Sequence, residues 1–486
     1  MSKEQGILSK HYHLIGIGGI GMGTLASLLL DQGHIVSGSD LKDSDMCRNL
    51  RARGVRICLD HKTGNVVKDT DYVVYSSAVR VNNAELFEAE SRNIPVLRRA
   101  EVLAQLVNAQ IGITIAGAHG KTTTTSMVSS LLINAGLKPT TAIGGIINGQ
   151  TAYNANLGEG KYFVAEVDES DGTFLYFRPH YSIITNMDFE HVDFYKNWDG
   201  ITQAYAKFIS CTHGDGCLIV CGEDAKLLGL VRQQKIRTIT YGLSDQYDVY
   251  ATDVKTDGFQ STFRCHTKIA SSANTKSADL FALTPGFDDQ GTGNIFELNV
   301  PGRHNILNAL ACISLGLQLG ISYEVMFNAL KNFTGVKRRF QLKGRVDDIM
   351  VIDDYGHHPT EIAATLNAAR LFNPKRLITV FQPHRYSRTK FLLNEFAEHL
   401  SLSDELILTD IYAASEKPSE GVTVGVLLGE LQKRLGSKVI FLNKDDILKY
   451  LQDYVQSGDL VLFLGAGDIY HLSDELVKVL SSQKVS

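Results

Sequence analysis

The residues best placed to do chemistry sit in one short run, Gly117-Ala118-His119-Gly120-Lys121-Thr122-Thr123. Apolar residues 111–116 precede it, and a helical pattern follows through residue 132, stopped by Gly136. A glycine-rich turn at a strand-to-helix junction rings phosphate oxygens with backbone N–H groups. Lys121 adds a point charge at the terminal phosphates, and the Thr122 hydroxyl suits Mg2+. The loop has two residues between its glycines where the standard phosphate loop has four, but the same donors remain. Two more apolar runs, 162–167 and 181–187, end in polar clusters: Glu166, Asp168, Glu169 and Asp171 after the first, Asp188, Glu190, His191 and Asp193 after the second. In a parallel sheet the strand C-termini share one crevice, so Lys121, Glu166 and His191 can converge there. Oxygen ligands suit magnesium. Thr122 and Glu166 are expected to hold one ion and His191 a second. Asp188 and Glu190 read equally well as solvated strand ends or helix caps.

A second glycine turn, Gly16-x-Gly18-x-x-Gly21, lies between a predicted strand (12–17) and a helix (24–30), with Asp40 closing the next strand (34–39). This is the fingerprint of a bound pyrophosphate at a helix N-terminus. NAD and a UDP-sugar both present that group, and a turn kept for packing is the plain alternative. Further on, residues 301–308 start a helix in which Asn305 either reads an adenine edge or caps the helix. Lys337-Arg338-Arg339 is a basic link that can be solvated surface or reach a γ-phosphate. Asp353-Asp354-Tyr355-Gly356-His357-His358 and Gln382-Pro383-His384-Arg385-Tyr386-Ser387-Arg388 each follow a predicted strand; the forks of Arg385 and Arg388 match a carboxylate. Gly465-Ala466-Gly467-Asp468 is read as a packing turn.

Positioning these groups requires elements that alternate. Short apolar strands, turns and amphipathic helices recur in three blocks, 1–109, 110–335 and 336–486, which predicts an α/β chain with three mostly parallel sheets covered by helices. Residues 244–299 depart from the rhythm, and their polar, weakly alternating pattern predicts an antiparallel excursion at a sheet edge. Length agrees with about three domains. The net charge of −5 supplies no basic field for nucleic acid or an anionic membrane. Seven scattered cysteines without a C-x-x-C pair fit buried thiols in a reducing compartment, and Cys217 and Cys221 lack partners for zinc. No run approaches a membrane helix or a signal peptide, so a cytoplasmic protein is expected.

Taken in order, GIGGIGM, SSAV, AGAHGKTTTT, EVDESDG, His191-Val192-Asp193, PGRHNILNA, RRF, DDYGHHPTE and QPHRYSRT resemble the Mur ligase family along essentially the whole chain. The resemblance is nearest to the branch that adds L-alanine to UDP-N-acetylmuramate. It implies an N-terminal Rossmann-like UDP-sugar domain, a central ATPase and a C-terminal Rossmann-like domain that brings the amino acid. It implies that Gly18, Gly19 and Gly21, with Asp40 and Ser76, meet the UDP-sugar. Gly117, His119, Gly120, Lys121, Thr122 and Thr123 would hold ATP, with Thr122, Glu166 and His191 on Mg2+. Asn305 resembles the family's adenine contact, Arg339 its phosphate contact and Asp354 its ribose contact. His357, His384, Arg385 and Arg388 resemble the groups around the alanine and the activated carboxyl, with Lys121, His384, Arg385 and Arg388 read as catalytic. Later-acting relatives carry a carbamoylated lysine, and Lys207 lies near that spacing. A monomer or weak homodimer is expected. Within the family, a ligase that adds a preformed tripeptide and a later amino-acid-adding ligase are the rivals. Outside it, a nicotinamide oxidoreductase would leave the Gly-Lys-Thr loop without a purpose, and a non-catalytic nucleotide sensor would leave the carboxylates so.

Overall fold

The structure, a computed structural model, describes residues 9–148, 155–190, 192–269, 293–414 and 416–482. His191 therefore lies outside the described residues, as does much of the predicted excursion. The described residues form three sheets, and the three-domain α/β class read from the alternation is the one observed.

The first sheet is parallel, in the order Arg56–Cys58, Ile35–Ser39, His11–Ile15, Tyr72–Tyr75, Val96–Arg98. Strand order reverses beside His11–Ile15, which puts the Gly16 turn and Ser76 at the switch point where such sheets bind ligands. The helix after the turn runs over Ile20–Asp31, four residues earlier than its apolar pattern begins. Glycines and an exposed isoleucine at its start carry no amphipathic signal.

The central sheet has ten strands, and its parallel middle runs Cys217–Cys221, Tyr181–Ile184, Ile111–Ala116, Tyr162–Glu166, Thr140–Ala142. All of these but Thr140–Ala142 read as near-continuous apolar runs because helices cover both faces; Ile113, Ile115, Phe163, Val164 and Ile183 have no solvent exposure. Register sets their tips level, with Ala116 beside Ile184 and Ile115 beside Glu166. The following helix, Lys121–Asn134, has a threonine- and serine-rich start that would be weakly helical alone. Its hydroxyls bond back to the carbonyls four residues earlier, Thr125 to Lys121 and Ser126 to Thr122, both at 2.8 Å. Small side chains let this helix bury nine of its fourteen residues.

The excursion supplies Val249–Asp257, Gln260–Thr267 and Asn294–Leu298 at one edge of that sheet. The first two strands join through only Gly258 and Phe259, the signature of a hairpin. Phe259 packs on Phe372 with ring centroids 4.6 Å apart and on Phe340 at 6.1 Å.

The third sheet is ordered Gln341–Val346, Ile349–Asp354, Asp459–Leu464, Arg376–Phe381, Glu405–Leu408, Val439–Phe441, antiparallel only at its first pair. After Arg376–Phe381 the chain forms two short helices, Tyr386–Phe391 and Leu393–Leu400, that meet at Leu392. By internal contacts the chain forms two compact units: Asp253–Arg264, Ile295–Ile306 and the chain from Lys331 group around the third sheet, and the rest around the first two.

Candidate active site

The phosphate-type loop is built by close backbone approach. Gly117 at φ +128° leaves no room for a side chain, since a Cβ would stand 2.1 Å from the Thr185 hydroxyl; at Gly120, φ +81°, it would stand 2.7 Å from Asn308 Oδ1. The loop is tied to the neighbouring strand tip: the His119 N–H donates to Asn186 Oδ1 at 2.9 Å, and its carbonyl accepts from Thr185 Oγ1 at 2.6 Å. Lys121 Nζ, largely buried, donates to Gly117 O at 2.6 Å and to both Glu169 carboxylate oxygens at 3.0 and 2.9 Å. Burial works against its charge, but Glu169, Asp168 and Glu166 outweigh it, and the ammonium titrates well above an ordinary lysine.

One helical position on, the Thr122 hydroxyl donates to Glu166 Oε1 at 3.0 Å, while Glu166 Oε2 accepts from the Gly144 N–H at 2.9 Å. Thr122 and Glu166 therefore stand together at the loop, and Thr123 shares the same first turn. A hydroxyl and a carboxylate beside an N–H-lined turn form an oxygen donor set that fits Mg2+ and phosphate. The remaining carboxylates divide by duty. Asp168 and Asp171 accept N–H bonds from Ser170 and Thr173, Asp188 meets His119 Nε2 at 2.9 Å, and Asp224 caps the next helix while accepting Met187 N–H. Lys207 is solvent-facing near the end of helix Trp198–Ser210, whose buried face is Ile201, Ala204, Tyr205, Phe208 and Ile209. A carbamate there would not face the loop.

At the N-terminal turn, Asp40 holds the loop itself: Oδ2 accepts the Gly18 N–H at 2.9 Å and Oδ1 the Lys42 N–H at 3.0 Å. A Cβ on Gly18 would lie 2.6 to 2.9 Å from Cys47, Ser44 and Asp40, so only glycine fits. Gly19 is the N-cap of helix Ile20–Asp31 with no side-chain cap, leaving the first-turn amides near Gly21 without one.

In the third sheet, Asp354 likewise anchors its own loop. It is buried and accepts from the Phe340 and Gly356 N–H groups, both at 2.7 Å, and from the Thr365 hydroxyl at 3.1 Å. Arg339 faces Glu361 at 3.4 Å and lies 5.1 Å from the Tyr355 ring centre. Asn305 is the third residue of helix Arg303–Gln318, which removes the capping alternative; its amide donates to Pro301 O at 2.7 Å. His384 stacks on Tyr412 and accepts from Arg388 Nη1 at 3.2 Å. Burial, then His357, Arg388 and Arg385, pushes its pKa down to about 3. The imidazole is neutral at physiological pH and too weak a base to take a proton from an ammonium. His357 Nδ1 donates to Tyr355 O at 3.1 Å and lies 3.3 Å from Glu361 Oε2, and its ring centre lies 5.6 Å from that of His384. Arg385 sits at φ +70°, a strained conformation for a side-chain-bearing residue, and among the described residues its buried Nε has no hydrogen-bond partner.

Sequence reasoning passed over Asn186 and Asn308, which brace the loop from two sides. Asn308 carried a signal, its three-residue spacing from Asn305 on one helix face. Asn186 carried none, because its work depends on strand register alone.

Against known proteins, residues 11–111 match the "Mur ligase family, catalytic domain", 115–316 the "Mur ligase middle domain" and 338–467 the "Mur ligase, glutamate ligase domain". A UDP-N-acetylmuramate–L-alanine ligase of Trichlorobacter lovleyi is 45% identical over 471 residues, 96% of this chain and 98% of its own. The structure of a UDP-N-acetylmuramate–alanine ligase from Thermotoga maritima superposes with a TM-score of 0.79 at 29% identity, covering 97% of this chain and 99% of that one. A murein peptide ligase from Psychrobacter arcticus shares the fold at TM-score 0.68 and 24% identity. With its loop geometry and these full-length likenesses together, the chain belongs to the Mur ligase family.

Proposed function

We propose that this chain is an ATP-dependent ligase that joins L-alanine to the carboxylate of UDP-N-acetylmuramate, releasing ADP and phosphate, in peptidoglycan synthesis. The observation that carries the reading is the convergence of Lys121, Thr122 and Glu166 on one glycine-lined turn, in a chain that matches an alanine-adding relative over nearly its full length.

The chemistry follows from leaving groups. A carboxylate does not accept an amine at neutral pH, because oxide would have to leave. Phosphorylation of the muramoyl carboxylate by ATP makes an acyl phosphate, from which phosphate departs when the amine attacks. Here the chain's task is positioning and charge neutralisation. The Gly117–Gly120 turn and Lys121 hold the phosphates; Thr122 and Glu166 would hold one Mg2+ and His191 a second, and such ions would supply charge neutralisation at the transferring phosphoryl group. Arg339 and Asn305 contact ATP, and Asp354 fixes the loop that carries His357. Arg385 and Arg388 hold the incoming alanine and the activated carboxyl, His384 orients Arg388, and His357 Nε2 accepts the amine proton. Gly19 and Gly21, with Ser76, take the UDP end, on a turn that Asp40 holds through the Gly18 N–H. Domains 1–109, 110–335 and 336–486 divide these duties among the UDP-sugar, ATP and the amino acid. Among the described residues no helix is long and apolar enough to cross a membrane, and a cytoplasmic monomer or weak homodimer fits the substrates.

Phosphate release with ATP and UDP-N-acetylmuramate is expected to require L-alanine. Release that responds to a tripeptide and not to alanine would assign the chain to the recycling reaction instead, and nicotinamide reduction or nucleotide binding without turnover would reject the ligase reading.

A further inference from the structure

Beneath the N-terminal glycine turn lies a buried polar network that the proposed reaction does not use. At its centre is Glu85, with no solvent exposure, in the first turn of helix Ala84–Ser91. Its Oε2 accepts from the Ser39 hydroxyl at 2.6 Å and faces His13 Nε2 at 3.5 Å; its Oε1 accepts from Asn65 Nδ2 at 2.6 Å and faces His61 Nδ1 at 3.6 Å. A buried carboxylate is costly unless its oxygens are well supplied with donors. Burial pushes its pKa up, but the bonds from His13, Ser39 and Asn65 more than reverse this and hold it below the usual range. The helix is already capped by Asn83, so the carboxylate reaches across to the sheet and does not serve its own helix.

The strand residue it grips is the one that shapes the turn. The Ser39 carbonyl accepts both the Gly16 and the Ile17 N–H, at 2.8 and 3.0 Å, and the next residue, Asp40, accepts the Gly18 N–H. Ser39 has a single hydroxyl hydrogen, and the acceptor-only carboxylate takes it. His61 Nδ1, 3.0 Å from the same hydroxyl, must then donate. In the neutral ring that assignment makes His61 Nε2 the acceptor nitrogen, on a side chain that is 22% exposed.

We propose that Glu85 is a positioning residue for the UDP end of the substrate: it locks Ser39, and through it the Gly16–Gly18 turn, and sets His61 to present an acceptor toward donors such as a ribose hydroxyl or uracil N3–H. This rests on reading the glycine turn as the UDP site. A purely structural duty is separable, because the same network continues away from the turn: Ser37 Oγ meets His13 Nδ1 and His11 Nε2, both at 2.9 Å, and His11 Nδ1 faces Asp69 at 3.4 Å.

The test measures, in the full chain, the Kd for UDP alone, the Kd for ADP, and kcat and KM for each substrate in Glu85→Gln, Ser39→Ala and Ser37→Ala. The loss of one buried, charge-assisted bond predicts that Glu85→Gln and Ser39→Ala raise the UDP Kd and the UDP-N-acetylmuramate KM about tenfold. The KM for ATP and alanine, the ADP Kd and kcat are expected to stay within about twofold. Ser37→Ala is expected to lower the melting temperature without moving the UDP Kd. Unchanged UDP affinity in folded Glu85→Gln overturns the proposal, as does an equal loss in Ser37→Ala. If Glu85→Gln does not fold, Ser39→Ala alone decides. Failure of the unaltered chain to bind UDP would instead reject the reading of the glycine turn.

Discussion

Lys121→Ala separates the catalytic duty proposed for the Gly117–Gly120 loop from its structural one. Lys121 and Glu169 form a two-pronged ion pair in which the side chains are only 15% and 4% exposed. Removing the ammonium takes the cation from a buried carboxylate, and breaking such pairs costs roughly 3–5 kcal/mol. The residual exposure of Lys121 places the cost at the lower end. At about 2–4 °C per kcal/mol for a unit of this size, the melting temperature should fall by roughly 6–12 °C. Restoring neutrality with Lys121→Ala/Glu169→Gln should recover most of that loss, because an amide tolerates burial that a lone carboxylate does not. Neither variant is expected to release ADP, since no group replaces the point charge at the phosphates. The assay pairs thermal unfolding, followed through the single tryptophan, Trp198, with ADP release in the presence of both co-substrates. A Lys121→Ala chain that melts with the unaltered protein would refute the energetic argument, and ADP release by the double variant would refute the placement of ATP.

Gly120→Ala forces a Cβ to within 2.7 Å of Asn308 Oδ1 at φ +81°; a cost of about 1–3 kcal/mol in stability and a weakened ADP Kd are expected, checked by urea unfolding and calorimetry. Arg385→Gly releases the strain at φ +70° and should raise stability by up to about 1 kcal/mol while sharply raising the KM for alanine; a fall in both would argue against stored strain. For pH, His384 has a folded pKa of about 3 against an ordinary 6.5. Between those values the unfolded chain binds a proton that the folded chain refuses, so this group's contribution to stability is present above pH 6.5 and is lost as pH falls toward 3. In His384→Gln the acid-side decline should be shallower by up to one proton, about 1.4 kcal/mol per pH unit; parallel curves from urea titrations between pH 4 and 7 would exclude it.

Much of the candidate site was legible in one dimension because chemistry at a strand tip needs particular residue types. Only glycine tolerates the φ values at 117 and 120, and a lysine and a hydroxyl must follow in the first turn of the helix. These demands are local, so the run Gly117–Thr123 announced itself, as did the alternation that fixed the α/β class. The helix start at Ile20 and the break at Leu392 were not legible, since apolar periodicity says little where a helix begins on glycines or turns a corner.

What the residues alone determined was therefore the inventory: two glycine turns, a Gly-Lys-Thr run, carboxylates and arginines, each next to a strand end. Tertiary structure decided their assignments. Register brought Glu166 rather than its acidic neighbours to Thr122, gave Glu169 to Lys121, and turned Asp40 and Asp354 inward as anchors of their own loops. It also drew Glu85 from a distant helix beneath the first glycine turn. Residue type states which bonds a side chain can make, but which partner lies within about 3 Å depends on how strands align, and that alignment is set by the packing of the whole sheet.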